Sequence, residues 1–373
     1  MKKLFALLLA VLMIASLATV AFADEATNTA DWKSDVATVK LVLNKIYTVT
    51  GQKSGNSVIV PDETLSFTST AATTNPDVNA NLTIGTLDDG AMKDNEGKTA
   101  KTGTMSITLP EYTKVGVYNY TIEETAGTAQ GATYSGAKIG VQVLVTYDYD
   151  NSKLATQIVL TTTGTTSDAD GKEDEVGEGT VYKLDTFENK YELGELDVKK
   201  TVSGNLADKD VEFKMAVKFT SEKEVKSDIT ITDGSNNTTD VSDTSVAASA
   251  WTKNETSGKW EATATIYVKD SETVKITNIP AGVSYTVKED SRHLLADGAA
   301  LNPNSATDVE YTVAYTGESG TVLSNNTATA TVTNTKNTTV ETGVALDSMP
   351  YILLLAVAVI GLGVVVSKKR YEV

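Results

Sequence analysis

Apolar and polar residues alternate with a period of two through most of the chain between residues 38 and 334. The alternating runs are rich in Thr, Val, Tyr and Ile, and Gly, Asn and Asp interrupt them at short intervals, which is typical of β-strands joined by turns. The runs that predict strands are Thr38–Ile46, Thr104–Leu109, Gly116–Glu124, Gly140–Tyr149, Leu154–Thr163, Glu195–Val202, Glu212–Phe219, Trp260–Val268, Thr273–Ile279, Ser284–Glu289, Val309–Tyr315 and Ala328–Asn334. No long segment away from the two ends has a helical period. We therefore predict an all-β chain of antiparallel sandwiches.

The pattern repeats once along the chain. The matching segments are Leu41–Lys45 and Leu196–Lys200, Val115–Glu124 and Ala281–Glu289, and Phe187–Asn189 and Val332–Asn334. Each half therefore has a Lys, then a Glu, then an Asn, always at the end of a strand. The repeat predicts two tandem immunoglobulin-like β-sandwich domains, at residues 24–191 and 192–338.

The alternation also predicts where these side chains point. Lys45, Lys200, Glu124, Glu289 and Asn334 each share a strand face with the apolar residues two and four positions before them. If these faces form the cores, each domain buries a Lys, a Glu and an Asn together, which is costly unless the three groups satisfy one another or react. The alternative is that the two lysines reach water from the domain edge and form ordinary salt bridges with the carboxylates.

The N-terminal residues 1–23 have the order of a secretory signal peptide. Lys2 and Lys3 precede the apolar run Leu4–Leu17, and Ala21 and Ala23 supply the small residues that a signal peptidase reads. We expect this segment to be removed on export. An N-terminal membrane helix is the alternative, although the apolar run is short for one.

The C-terminal residues 339–373 combine a short polar motif, an apolar span and a basic tail. Met349–Val366 is nearly all apolar and, at about 1.5 Å per helical residue, is close to the thickness of a bilayer core. The tail with Lys368, Lys369 and Arg370 predicts that the following end stays in the cytoplasm. The motif Val340–Gly343 stands before the span. A plain single-pass anchor is the alternative to a processed signal.

Composition agrees with an exported protein. The chain has no Cys and therefore no disulfide, and its formal net charge of −17 disfavours nucleic acid and anionic lipid as partners. The acidic loop Ser167–Glu178 lacks the spacing of a calcium-binding loop, so we interpret it as a solvated loop. The single His293 has no catalytic or metal-binding companions in the sequence. We therefore expect no cofactor, no metal and no enzyme activity that turns over.

The two Lys…Glu…Asn sets resemble those of Gram-positive major (shaft or backbone) pilins of streptococcal type. The resemblance depends on the Tyr-x-Tyr or Tyr-x-Val lead into Glu, on the apolar-x-Asn ending, and on a C-terminal region that resembles a sortase sorting signal. It implies a spontaneous isopeptide bond in each immunoglobulin-like domain. The implied bonds join Lys45 to Asn189 and Lys200 to Asn334, with Glu124 and Glu289 as the assisting acids.

The chemistry expected of such a set follows from burial. An apolar core disfavours the charged form of an amine and of a carboxyl group alike, so a neutral amine can attack the Asn carbonyl carbon. We expect a protonated Glu to polarise the amide oxygen and to pass protons to the departing ammonia. The event occurs once in each domain.

The resemblance also implies how subunits join. A sortase would cut between Thr342 and Gly343 and transfer the Thr to a Lys amine of the next subunit, with Glu341 standing where the family has Pro. Lys183 is the candidate acceptor, and Lys190 and Lys172 are alternatives. The implied partners are a pilin-polymerising or housekeeping sortase, identical subunits head to tail, minor pilins and peptidoglycan. The competing hypothesis is a wall-anchored adhesin or minor pilin that binds a host or partner protein.

Overall fold

The computed structural model describes residues 41–53, 57–95, 99–165, 181–233, 242–290, 311–337, 355 and 357–360. The predicted signal peptide at 1–23 and the sortase motif with Thr342 and Gly343 lie outside the described residues, as do Lys172, His293 and the acidic loop at 167–178. Within the predicted span 349–366, the described residues 355 and 357–360 are helical. No helix in the described ranges is both long and apolar enough to cross a membrane.

The described part of the first half consists of short and medium strands, with a 3-10 turn at Asp89–Ala91. In chain order they are β1 (Leu41–Thr50), β2 (Thr64–Ala71), β3 (Thr83–Ile84), β4 (Leu87–Asp88), β5 (Lys93–Asp94), β6 (Ala100–Thr108), β7 (Gly116–Thr125), β8 (Ala132–Thr133), β9 (Lys138–Asp148), β10 (Lys153–Leu160), β11 (Thr163–Thr165) and β12 (Val181–Lys183).

The second half is also built from strands, with a 3-10 turn at Ala248–Ala250. Its strands are β13 (Thr186–Ser203), β14 (Phe213–Ser221), β15 (Ile229–Asp233), β16 (Ser245–Val246), β17 (Thr252–Lys253), β18 (Trp260–Val268), β19 (Thr273–Pro280), β20 (Ser284–Glu289), β21 (Thr312–Thr316), β22 (Ser319–Thr321) and β23 (Thr327–Thr335). The predicted all-β fold is confirmed.

The first domain packs two sheets against each other. One has the order β13-β1-β6-β3, with β5 paired to β6 and β8 to β13, and the other has the order β10-β9-β7-β2-β4. Alternation builds the core between them, because Leu43, Lys45, Tyr47 and Val49 of β1 point inward while Val42 is exposed. The facing sheet contributes inward residues such as Val143.

The second domain repeats this arrangement. One sheet has β16, β15, β19, β13, β23 and β21 in succession, and the other has the order β17-β18-β14-β20-β22. Its core includes Phe213, Val217, Ile276 and Val287, which come from both sheets and are fully buried. The same alternating pattern therefore encloses two separate cores.

Strand β13 belongs to both domains. Its first part, residues 186–192, pairs in parallel with β1, and residues 195–203 pair in parallel with β23. The boundary predicted between residues 191 and 192 thus falls inside a single strand. The pairing of β13 with β19 shifts register between Gly194 and Leu196. A Cβ at Gly194 would lie 2.3 Å from the carbonyl oxygen of Leu323, so only glycine allows that loop to approach.

Further contacts hold the domains together beside the shared strand. The backbone N–H of Gln130 donates to the carbonyl of Glu224 at 2.8 Å, and the Gln130 side-chain amide donates to the carbonyl of Ala281 at 2.6 Å. The hydroxyl groups of Tyr191 and Ser227 share a hydrogen bond of 2.7 Å. Polar groups of the two domains therefore form hydrogen bonds with each other at this junction.

Several strands differ from their predicted bounds. Strands β2 and β15 were not predicted, because β2 has few apolar residues among its Ser and Thr and β15 is only five residues long. The run predicted at Leu154–Thr163 is interrupted, because β10 ends at Leu160 and Thr163 starts β11. The run at Val309–Tyr315 corresponds to β21, and residues 309 and 310 lie outside the described ranges.

Candidate functional site

Parallel pairing of the first and last strands brings Lys45 beside Asn189 in the first domain. Asn189 of β13 pairs with Tyr47 of β1. Lys45 lies two residues before Tyr47 on β1, so its side chain points to the same face of the sheet as that of Asn189. Glu124 comes from β7, in the sheet across the core. The three predicted residues of this domain therefore meet at one point between the sheets.

All three side chains of this first site are buried and in contact. Lys45 Nζ lies 2.7 Å from Glu124 Oε2, and Asn189 Nδ2 donates to Glu124 Oε1 at 2.8 Å. The Lys45 and Glu124 side chains are both 0 % exposed. The alternative in which Lys45 reaches water from the domain edge is wrong for this structure.

The second domain forms the same arrangement with the same offset. Asn334 of β23 stands opposite Val202 of β13, and Lys200 again precedes the opposed residue by two positions. Lys200 Nζ lies 2.5 Å from Glu289 Oε2, and Asn334 Nδ2 donates to Glu289 Oε1 at 2.8 Å. The Lys200 amine lies 4.0 Å from the centre of the Phe213 ring. The side chains of Lys200 and Glu289 are at most 2 % exposed.

Burial makes both amines easier to deprotonate. Loss of solvation lowers the pKa of Lys45 to about 8, although the neighbouring Glu124 acts in the opposite direction. Burial lowers the pKa of Lys200 to about 8 as well, against the effect of Glu289. A neutral, nucleophilic amine is therefore accessible near neutral pH in each domain.

The amide oxygens of the two Asn side chains have different surroundings. In both domains the carboxylate contacts the amide nitrogen, whereas the sequence interpretation expected it at the oxygen. In the first domain the backbone N–H of Ser135 donates to Asn189 Oδ1 at 2.8 Å. Asn334 Oδ1 is buried without a hydrogen-bond partner among the described residues. Ser135 escaped the sequence analysis because a backbone donor has no side-chain signature.

The candidate acceptor lysines are separate from these sites. Lys183 is the last residue of β12, which pairs with β11. Lys190 follows Asn189 on β13 and is exposed. The choice between these lysines as the acceptor stays a prediction.

Metal ligands do not gather in the described part of the chain. There, no group of three or more His, Cys, Asp or Glu side chains has an arrangement that could hold a metal ion.

Comparisons with known proteins match both domains. Residues 44–192 match the family described as the Spy0128-like isopeptide containing domain, and residues 194–336 match a domain of unknown function. A curated pilin of Streptococcus pyogenes serotype M1 is 27% identical over 279 residues, which cover 74% of each chain.

Solved structures of major pilins from the same species are also similar. The major pilin of Streptococcus pyogenes is 23% identical, with a TM-score of 0.43, and the match covers 80% of this chain and 99% of that one. The major pilin T3.2 of serotype GAS13637 is 18% identical, with a TM-score of 0.43 and coverage of 80% and 97%.

Residues 44–192 are therefore similar to the Spy0128-like isopeptide containing domain. The chain is similar to a streptococcal pilin over 74% of its length, so the predicted resemblance to pilins is confirmed, while the sortase signal stays a prediction.

Proposed function

We propose that this chain is a structural shaft subunit of a sortase-assembled covalent surface pilus, and that each domain locks itself with a Lys–Asn isopeptide bond. One observation supports the proposal most strongly. In both domains a buried amine, a buried side-chain amide and a carboxylate that contacts both meet where the first and last strands run in parallel. The family match over residues 44–192 supports the same chemistry for the first domain.

The proposed reaction uses only these groups. In the first domain the neutral Nζ of Lys45 attacks Cγ of Asn189, the Nζ–Cγ bond forms, and the Cγ–Nδ2 bond breaks. One proton passes from Nζ to Nδ2, which leaves as ammonia. Glu124 touches the two nitrogens through different oxygens. In its protonated form it can give a proton from Oε1 to the departing Nδ2 and take the Nζ proton at Oε2, so it ends protonated as it began. The product amide is neutral, which removes the cost of a buried ion pair.

The placement of the bonds suits a subunit under tension. When the chain is pulled from its two ends, force passes from Lys45 to Asn189, along β13 to Lys200, and out through Asn334 on β23. In a pilus joined at Lys183, force enters just before β13 and crosses the Lys200–Asn334 bond, while the Lys45–Asn189 bond ties β1 to the loaded strand. In a chain without Cys, these bonds take the place that disulfides hold in other exported proteins.

Export and polymerisation complete the proposal. The signal at 1–23 directs secretion, and the sorting region at 339–373 holds the precursor in the membrane until a sortase cuts between Thr342 and Gly343. The Thr342 carbonyl is then joined to Lys183 of the next subunit, and the finished pilus is attached to the cell wall.

Intact mass tests the isopeptide chemistry. Recombinant residues 24–342 should weigh less than calculated by two ammonia molecules, because each bond releases one. Glu124→Ala and Glu289→Ala should each restore one ammonia, since the proton relay is lost. Glu123→Ala is the matched control on β7, because Glu123 is partly exposed and pairs with Lys138 instead. The full calculated mass for the unaltered chain would reject the mechanism.

Polymerisation is tested by expressing the chain with its sortase in a Gram-positive host. We expect a ladder of covalent multimers on a denaturing gel, and Lys183→Arg should collapse it because the acceptor amine is lost while the charge is kept. Lys190→Arg and Lys172→Arg should leave the ladder intact. Loss of the ladder in either of these variants would reassign the acceptor, and a single wall-linked band from the unaltered chain would favour the adhesin or minor-pilin hypothesis.

A further inference from the structure

The amide oxygen of Asn189 is held by a backbone donor. The N–H of Ser135 donates to Asn189 Oδ1 at 2.8 Å, while Glu124 accepts from Nδ2 of the same amide. We propose that the Ser135 N–H is the oxyanion-stabilising donor of the first domain's bond-forming reaction. This inference rests on the proposed function and adds a catalytic group to it.

The need for such a donor follows from the geometry of the carboxylate. Attack on Cγ moves negative charge onto Oδ1, and a donor already aimed at that atom stabilises the charge without reorganisation. Both oxygens of Glu124 are engaged by nitrogen atoms, Oε2 by Lys45 and Oε1 by Asn189. The carboxylate therefore serves proton transfer, and the charge on Oδ1 is met by the Ser135 amide.

The Ser135 N–H takes no part in the hydrogen bonds of the sheet, because the chain leaves the sheet just before it. Strand β8 pairs with β13 only at Ala132 and Thr133, and the chain leaves the ladder before Ser135. Tyr134 fixes the segment where it leaves, because its hydroxyl donates to Glu63 at 2.7 Å and accepts from the N–H of Ala129 at 3.1 Å. The Ser135 N–H is thus presented to the side chain of Asn189 instead of to a strand.

In the second domain the corresponding strand stays paired past the Asn. Strand β21 takes the place of β8 and pairs with β23, with Thr312 opposite Thr335 and Val313 opposite Asn334. The register makes Ala314 equivalent to Ser135, and Ala314 is still inside the ladder, opposite Thr333. This agrees with the unpartnered Asn334 Oδ1 among the described residues, and it makes the Ser135 donor a feature of the first domain.

A single-atom change at residue 135 tests the inference. Nonsense suppression in a cell-free system can place lactic acid there, so that an ester oxygen replaces the N–H in the full-length chain. Ser135→Ala is the matched control, because it has the same side chain and keeps the N–H. After quenching at intervals and proteolysis, mass spectrometry quantifies the Lys45–Asn189 and Lys200–Asn334 peptide pairs separately.

We expect Ser135→Ala to form both pairs as the unaltered chain does. The ester should slow the Lys45–Asn189 pair by about 100-fold or more, which is the usual effect of losing one oxyanion donor. The Lys200–Asn334 pair should form at the control rate, which also shows that the ester chain has folded. Equal slowing of both pairs, or no slowing of either, would overturn the assignment. Absence of both pairs from the unaltered chain would reject the isopeptide function itself.

Discussion

Replacing Asn189 by Ala should lower the midpoint of thermal unfolding by about 10–20 °C. The proposed Lys45–Asn189 bond would close a loop of more than 100 residues, and a cross-link of that span restricts the unfolded chain by about 5 kcal/mol. For a protein of about this size, each kcal/mol corresponds to roughly 2–4 °C. In the variant Lys45 stays a free amine beside Glu124, so the loss combines the missing covalent bond with the cost of that buried pair. Differential scanning calorimetry with intact mass on the same sample measures both.

Asn75→Ala is the control for this change. Asn75 is another buried Asn of the first domain, and among the described residues its side chain bonds to the backbone of Asn119, at 3.1 and 2.8 Å. Its loss should cost about 1–3 kcal/mol without any change in ammonia release. An Asn189→Ala midpoint no lower than that of Asn75→Ala would contradict a covalent lock.

Pulling the chain from its two ends should reveal no lengthening of either domain while both bonds are intact. Asn189→Ala should then release the residues between 45 and 189, roughly 140 in number, and lengthen the chain by about 460–500 Å at 3.3–3.6 Å per residue. Asn334→Ala should release a similar length from the second domain. Single-molecule force spectroscopy measures each step directly.

The double variant should show both steps, and Asn75→Ala should behave like the unaltered chain. Extension of the unaltered chain by either step would mean that tension does not pass through the bonds. Equal extension with and without Asn189 would place the load path elsewhere.

The sequence was sufficient for the all-β fold and for the strand faces on which the candidate Lys and Glu side chains lie. Strict alternation places Lys45, Lys200 and Glu289 two residues from buried apolar neighbours, and the structure buries them there. The internal repeat shows that the Lys, Glu and Asn of one half correspond to those of the other, before the order of strands in the sheets is known. A period of two specifies which face of a strand a side chain lies on, and side chains on the inward faces are the ones that come into contact.

Other features have no such pattern. The sequence predicts a domain boundary between residues 191 and 192, yet β13 runs through it with only a register shift at Gly194, because tertiary pairing with β1, β19 and β23 holds both halves extended. The contact between Ser135 and Asn189 depends on where β8 leaves the ladder. That departure is set by packing around Tyr134 and Glu63, which are distant in sequence.

The shared strand β13 also limits how evolution can rearrange this molecule. Before Gly194 the inward side chains of β13 are at odd-numbered positions (Asn189, Tyr191 and Leu193), and from Leu196 onward they are at even-numbered positions. The irregularity at Gly194 therefore determines which side chains of the second half point into the core. Deleting one residue there would turn Lys200 outward and leave Asn189 in place. Length variation and recombination should therefore be tolerated in the loops but excluded from residues 189–200, so the two domains are inherited as one unit.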